Sequence, residues 1–188
     1  MSFPGIPSLD AAVMAFIQTH FHNTVTDTVF PIITSLGEAG IGWIVLSLVL
    51  LCFKKTRRTG GLVLIAMTVT LLFGELTLKN IICRLRPCNV FTDFPMLIAR
   101  PASYSFPSGH TSSSFAAALI LTLRHKKVGW LAYIPAALIA FSRIFLFVHY
   151  PTDVLAGILL GTLAALLTYF AAKTIQKRQA EKRTAQKA

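Results

Sequence analysis

Residues 137–153 read ALIAFSRIFLFVHYPTD, an apolar run with Arg143 set inside it and with His149 and Asp153 closing it across a proline. On a soluble helix such a stretch would leave a wide greasy face against water. Inside a bilayer only the ionisable residues need an explanation, because a charge there is costly and faces a polar interior or pathway. The reading of this run therefore decides the fold.

Composition chooses the bilayer. Of 188 residues, 54% are hydrophobic and 13% charged, where soluble domains carry about 25% charged residues. Several apolar runs approach the ~20 residues that cross a hydrocarbon core of ~30 Å. The expected class is all-α, a polytopic transmembrane helical bundle. Residues 1–172 form a single membrane-embedded domain, and 173–188 form a basic cytoplasmic tail. A soluble all-α protein is the competing class, and the scarcity of charge speaks against it.

The net charge of +11 does not point to nucleic acid, because the charges are grouped. Of 18 Lys and Arg, 13 are Lys54, Lys55, Arg57 and Arg58, then Arg124, Lys126 and Lys127, then six from Lys173 to Lys187. Each group follows an apolar segment, and cytoplasmic loops are rich in Lys and Arg. The three groups thus mark the cytoplasmic face, the last as a fraying helix near anionic headgroups. Residues 1–53 hold no Lys or Arg, which places the N-terminus outside.

Five spans, at about 37–53, 60–83, 108–123, 128–148 and 151–172, alternate as these charges require. Segments 9–22 and 25–36 are short, and Pro31 interrupts the second. Both read as interfacial or re-entrant helices on the outer side; the alternative joins them into a sixth span. No basic n-region precedes an apolar core, so no cleavable signal peptide is expected. Cys52 reads as packing, while Cys83 and Cys88 bracket a turn and would pair only on an oxidising side; no Cys/His metal pattern occurs. Gly157 and Gly161 let helices approach closely, within the bundle or between chains.

This topology gathers the polar residues. Lys79 and Arg86 stand at the outer end of the second span, and PSGH, residues 107–110, at the outer start of the third. Arg143 and His149 stand at the outer end of the fourth and Asp153 at the outer start of the fifth. Singly, the cations would pass as snorkelling anchors and Ser108 as an N-cap. Together they make a phosphate site. Three cations neutralise the anion, arginine in bidentate fashion. Ser108 and the free amides around Gly109 and His110 offer a helix start, itself an anion site, where glycine permits close backbone approach.

Two histidines divide the remaining chemistry. His149 and Asp153 are four apart around a proline suited to a first helical turn. Asp153 would orient the imidazole, as the aspartate does in serine-protease triads, and His149 would attack phosphorus. His110 would protonate the leaving oxygen and then activate water. No metal or other cofactor is needed on this reading, since the cations offset the developing charge.

At these residues the chain resembles the type-2 phosphatidic acid phosphatase superfamily, which also includes vanadium haloperoxidases. KNIICRLRP (79–87), PSGH (107–110) and SRIFLFVHYPTD (142–153) match its three motifs in order and spacing. The resemblance implies a helical bundle and metal-free phosphoryl transfer. It implies a phosphohistidine at His149, with Asp153 orienting it and His110 as general acid. Lys79, Arg86, Ser108, Gly109 and Arg143 would hold the phosphate. The expected substrate is a membrane lipid phosphate or diphosphate at the outer face of the plasma membrane.

A short chain with little beyond the motifs looks most like the small bacterial members, many of which act on undecaprenyl pyrophosphate. Phosphatidylglycerophosphate, phosphatidic acid and lipid A phosphates are served by near relatives, and the motifs do not separate them. A lipid phosphotransferase would use the same site, whereas a haloperoxidase would be larger and soluble, and a non-enzymatic lipid binder would not need both histidines. Glu75, four before Lys79, is expected to pair with it, or to lie at a pore or subunit contact. Glu38 has no assigned role, and Arg84 and Arg100 read as solvent-exposed cations near lipid headgroups.

Overall fold

The computed structural model describes residues 3–186, and among them there is no strand. In chain order the helices are α1 (Ser8–His20), α2 (Thr24–Leu36), α3 (Ile41–Cys52), α4 (Arg57–Thr70), α5 (Lys79–Ile82), α6 (Pro87–Val90), α7 (Gly109–Arg124), α8 (Tyr133–Phe145) and α9 (Pro151–Ala185). Asn23 starts α2 by accepting from the Val25 and Thr26 amides, and Thr26 returns the bond to the Asn23 amide. This reciprocal cap satisfies amides that the helix leaves unpaired. Between α2 and α3 the chain bends by 46°, where Ala39 and Gly40 have φ of 47° and 71°. The left-handed region is unusual for a residue with a Cβ, so Ala39 is held there by its surroundings.

Helix α7 is the axis of the bundle. Ala116, Ala117, Ala118 and Ile120 have no exposed surface, and α4, α8 and α9 pack around them. The α7–α9 approach rests on glycine. A Cβ at Gly157 would lie 2.7 Å from the Ser108 carbonyl, and one at Gly161 would collide with the Ser112 carbonyl. Such overpacking costs about 1–3 kcal/mol. The paired glycines therefore serve internal packing. The opposite face of α9 carries Leu155, Leu159, Leu163, Leu167 and Phe170, all about half exposed or more. An apolar stripe of that length suits a lipid environment.

A π-helical stretch, Leu71–Leu78, joins α4 to α5, and the run ends at Cys83 with φ 51°. Among the described residues, length and apolarity give two spans, Arg57–Val90 and Pro151–Ala185, and a third if Thr24–Leu36 and Glu38–Cys52 form one bent pair. Helix α7 lines up with the expected third span but has 16 residues. Helix α3, within the expected first span, has only 12, because the glycine-rich break at 37–40 takes up its start. Cys83 is exposed, Cys88 is buried, and both are free thiols.

Candidate active site

The start of α5, the start of α7 and the end of α8 meet around a cavity of about 490 Å³. Lys79, Arg86, Gly109, His110, Arg143 and His149 line its polar part. Lys79, Arg86, Arg143 and His149 are at most 5% exposed. Burying several cations is expensive unless anions answer them. Lys79 has such a partner: its Nζ donates to both Glu75 oxygens at 2.7 Å, as the four-residue spacing requires. Arg86 and Arg143 have no carboxylate within ion-pair distance among the described residues. Arg143 donates from Nη1 to Thr34 of α2, and its buried Nε has no partner among the described residues. The site thus carries more buried positive charge than its own carboxylates answer.

The His149 ring is bonded on its Nε2 side, while Nδ1 faces a carboxylate without a hydrogen bond among the described residues. Arg86 Nη1 lies 2.8 Å from His149 Nε2, and a guanidinium has only protons to offer. Nε2 must therefore accept, which puts the ring proton on Nδ1, 3.4 Å from Asp153 Oδ2. Arg86 is itself held by the Val148 and Ser103 carbonyls at 2.9 and 2.7 Å. Asp153 Oδ2 also accepts from Ser105 and from the Tyr150 amide at 2.9 Å.

His110 sits differently, at the first turn of α7. Its Nε2 has no hydrogen bond among the described residues, the nearest carboxylate oxygen being Glu38 Oε2 at 3.4 Å. A Cβ on Gly37 would come within 2.8 Å of the His110 ring, so this glycine lets the α2–α3 turn close over it. From there the cavity runs between α3 and α4, past Ile44, Leu64, Met67 and Leu71.

Two expectations need correction. Ser108 occupies the N-cap position of α7 but makes no side-chain cap; it is fully buried, and its hydroxyl accepts from Thr111 at 2.9 Å. Gly109 lines the cavity, and a Cβ there would also collide with the Glu75 carboxylate. Arg84 is not a free surface cation, whereas Arg100 is exposed as expected but is tied down by carbonyls. Arg100 donates to the Cys88, Thr92 and Phe94 carbonyls, closing the 88–100 loop. Arg84 bridges Asp10 and Asp153 at 2.7 and 2.6 Å. Asp10, Thr34, Ser105 and Thr152 are further contributors that no local pattern announces. The one available signal was Asp10 itself, a lone carboxylate in an apolar helix.

The motif-bearing region, residues 59–177, matches the model of the PAP2 superfamily. The chain belongs to that superfamily. It is 37% identical over 127 residues to an undecaprenyl-diphosphatase of Sulfolobus acidocaldarius, a match covering 67% of this chain and 61% of that protein. It is 31% identical over 157 residues to the undecaprenyl-diphosphatase BcrC of Bacillus subtilis, covering 79% and 76%. The crystal structure of a transmembrane PAP2-type phosphatidylglycerolphosphate phosphatase from Bacillus subtilis superposes with a TM-score of 0.72 at 29% identity, over 92% of this chain and 89% of that one. The relatives' names are those of hydrolases acting on membrane lipid phosphates.

Proposed function

We propose that this chain hydrolyses a phosphate from a membrane lipid phosphate or diphosphate, with undecaprenyl pyrophosphate as the preferred substrate. The observation that carries the reading is His149, whose Nε2 lone pair meets the buried Arg86 while Nδ1 faces Asp153. An incoming phosphate draws Arg86, Arg143 and Lys79 to its oxygens and leaves Nε2 free to attack phosphorus. The P–O bond to the leaving group breaks, and the departing oxygen takes a proton from His110. For a diphosphate the product of this step is the lipid monophosphate. His110 then takes a proton from water, the hydroxide attacks phosphorus, the N–P bond breaks and inorganic phosphate leaves. The cations offset the developing charge, so the reaction is proposed to run without a metal.

The substrate choice rests on the undecaprenyl-diphosphatase relatives and on the apolar arm of the cavity between α3 and α4, which fits a long chain beside the phosphate. The likeness to the phosphatidylglycerolphosphate phosphatase favours a second substrate of the same chemistry. Our reading of the topology is five crossings in the plasma membrane, the 1–36 helices against its outer side, and the site extracytoplasmic. The basic loops and tail that flank the cytoplasmic ends support it.

The test is phosphate release by purified protein in detergent with EDTA. Undecaprenyl pyrophosphate, phosphatidylglycerophosphate and phosphatidic acid are compared, with His149→Ala as control. Release that survives EDTA and vanishes in the variant is expected. Metal dependence, or full release by the variant, overturns the mechanism, and the substrate ranking decides the lipid.

A further inference from the structure

We propose that Asp10 and Arg84 are positioning residues for Asp153, which makes α1 a working part of the catalytic apparatus and more than an anchor at the membrane surface. The proposal rests on the role given above to Asp153 and His149. Arg84 lies between two fully buried carboxylates. Its Nη1 donates to Asp153 Oδ1 at 2.6 Å and to the Thr152 hydroxyl at 2.7 Å. Its Nη2 donates to Asp10 Oδ2 at 2.7 Å, and its guanidinium stacks 3.8 Å from the centre of the Tyr150 ring. Asp10 reaches back to the start of α9, accepting from the Thr152 amide at 2.9 Å and from its hydroxyl at 2.7 Å.

The geometry says what this does. Asp153 turns Oδ2 towards His149, Ser105 and the Tyr150 amide, so its orientation depends on what grips Oδ1. Arg84 grips it. The guanidinium is a flat fork with limited freedom, and stacking on Tyr150 together with the bond to Asp10 removes what freedom remains. Residues one step behind a reacting imidazole set its direction and its tautomer. A helix that needed only to be tied down would do so more cheaply with apolar contacts, since buried ion pairs stabilise little over well-packed hydrophobic residues. Helix α1 already has such contacts through Met14 and Ile17, both buried in the cluster with Phe145 and Phe147.

The experiment is a mutant cycle on phosphate release from radiolabelled substrate by the full chain. Arg84→Gln, Arg84→Lys and Asp10→Asn are each made alone and on Asp153→Asn. Residues that act through one another are strongly non-additive, whereas independent structural losses add. We expect Arg84→Gln to lower kcat about 100-fold and Asp10→Asn about tenfold with KM held within about twofold, as for groups that serve only the transition state. Arg84→Lys should recover part of the loss, and on Asp153→Asn neither change should cost anything more. Additive losses, a loss confined to KM, or a fully active Arg84→Gln overturns the proposal. If Arg84→Gln does not fold, Asp10→Asn carries the cycle, because it keeps an oxygen for the Thr152 amide. Wild type and Asp153→Asn are measured first. If the wild type is inactive or the variant fully active, the catalytic reading fails and the relay with it; a crippled Asp153→Asn beside additive losses removes the relay alone.

Discussion

The two histidines of the site are built in opposite ways. His149 is 1% exposed and bonded to Arg86 through Nε2, with Nδ1 3.4 Å from Asp153 and unbonded among the described residues. The His110 side chain is 14% exposed, its Nε2 is unbonded among the described residues, and the carboxylate nearest it belongs to Glu38, whose side chain is 75% exposed. One ring is buried and has its tautomer assigned by the bond from Arg86. The other lines the cavity beside the exposed Glu38. A nucleophile gains from fixed direction, because near-attack geometry is worth large factors in rate. A group that must give a proton, release a product and take a proton from water needs access instead. The contrast in packing is what the two proposed roles require.

The sharpest way to break this contrast is to remove each ring in turn. His149→Ala should lower kcat by on the order of 10⁴-fold or more, since loss of a nucleophile leaves only binding and charge stabilisation. No ³²P-labelled protein should form from labelled substrate in that variant. His110→Ala should cost about 10²–10³-fold on a lipid monophosphate, within the range for general acid–base catalysis. On a diphosphate, or on p-nitrophenyl phosphate, the first step should suffer less, because those leaving groups need little protonation. That step is read as label retained on the protein, which should accumulate when His110 cannot activate water. Equal losses on all leaving groups would show that His110 does something other than protonate.

How far the sequence carries these assignments differs by region. Arg143, His149 and Asp153 were legible because an ion inside an apolar run is improbable, and helix ends set by charge placement bring distant segments to one depth. The Glu75–Lys79 pair followed from helical spacing alone. What was not legible depends on contacts across 74 to 142 residues: Arg84 with Asp10, Thr152 with Asp10, and Thr34 with Arg143. No periodicity encodes these, since they arise when α1 and α2 fold back over the site. Ser108 shows the converse. Its type and position predict a cap, yet its hydroxyl accepts from the Thr111 hydroxyl within the same first turn instead of from a backbone amide. The number of spans was blurred for a physical reason too, since the bend at 37–40 shortens α3 without disturbing its apolar pattern.

Glu75 tests the other wall of the cavity, where charge has been matched. It holds Lys79 by two bonds and lies against Gly109. Glu75→Gln leaves Lys79 buried with a weaker partner and free to turn, so kcat/KM should fall about tenfold, near the ~1.4 kcal/mol of one charge-assisted bond. Most of the change should appear in the inhibition constant for inorganic phosphate. If turnover and phosphate affinity are both unchanged, the pair does not position the cation.

Glu38 should matter least, and its small effect is informative. Its carboxylate faces His110 at 3.4 Å, but at 75% exposure water and salt screen the interaction, and exposed ion pairs contribute little. Glu38→Gln should change kcat no more than about threefold, and raising salt to ~1 M, where the screening length is about 3 Å, should bring wild type and variant together. A larger loss that survives high salt would mean that Glu38 orients His110 much as Asp153 orients His149. The mouth of the cavity would then be as organised as its floor, and the difference between the two histidines would be one of exposure alone.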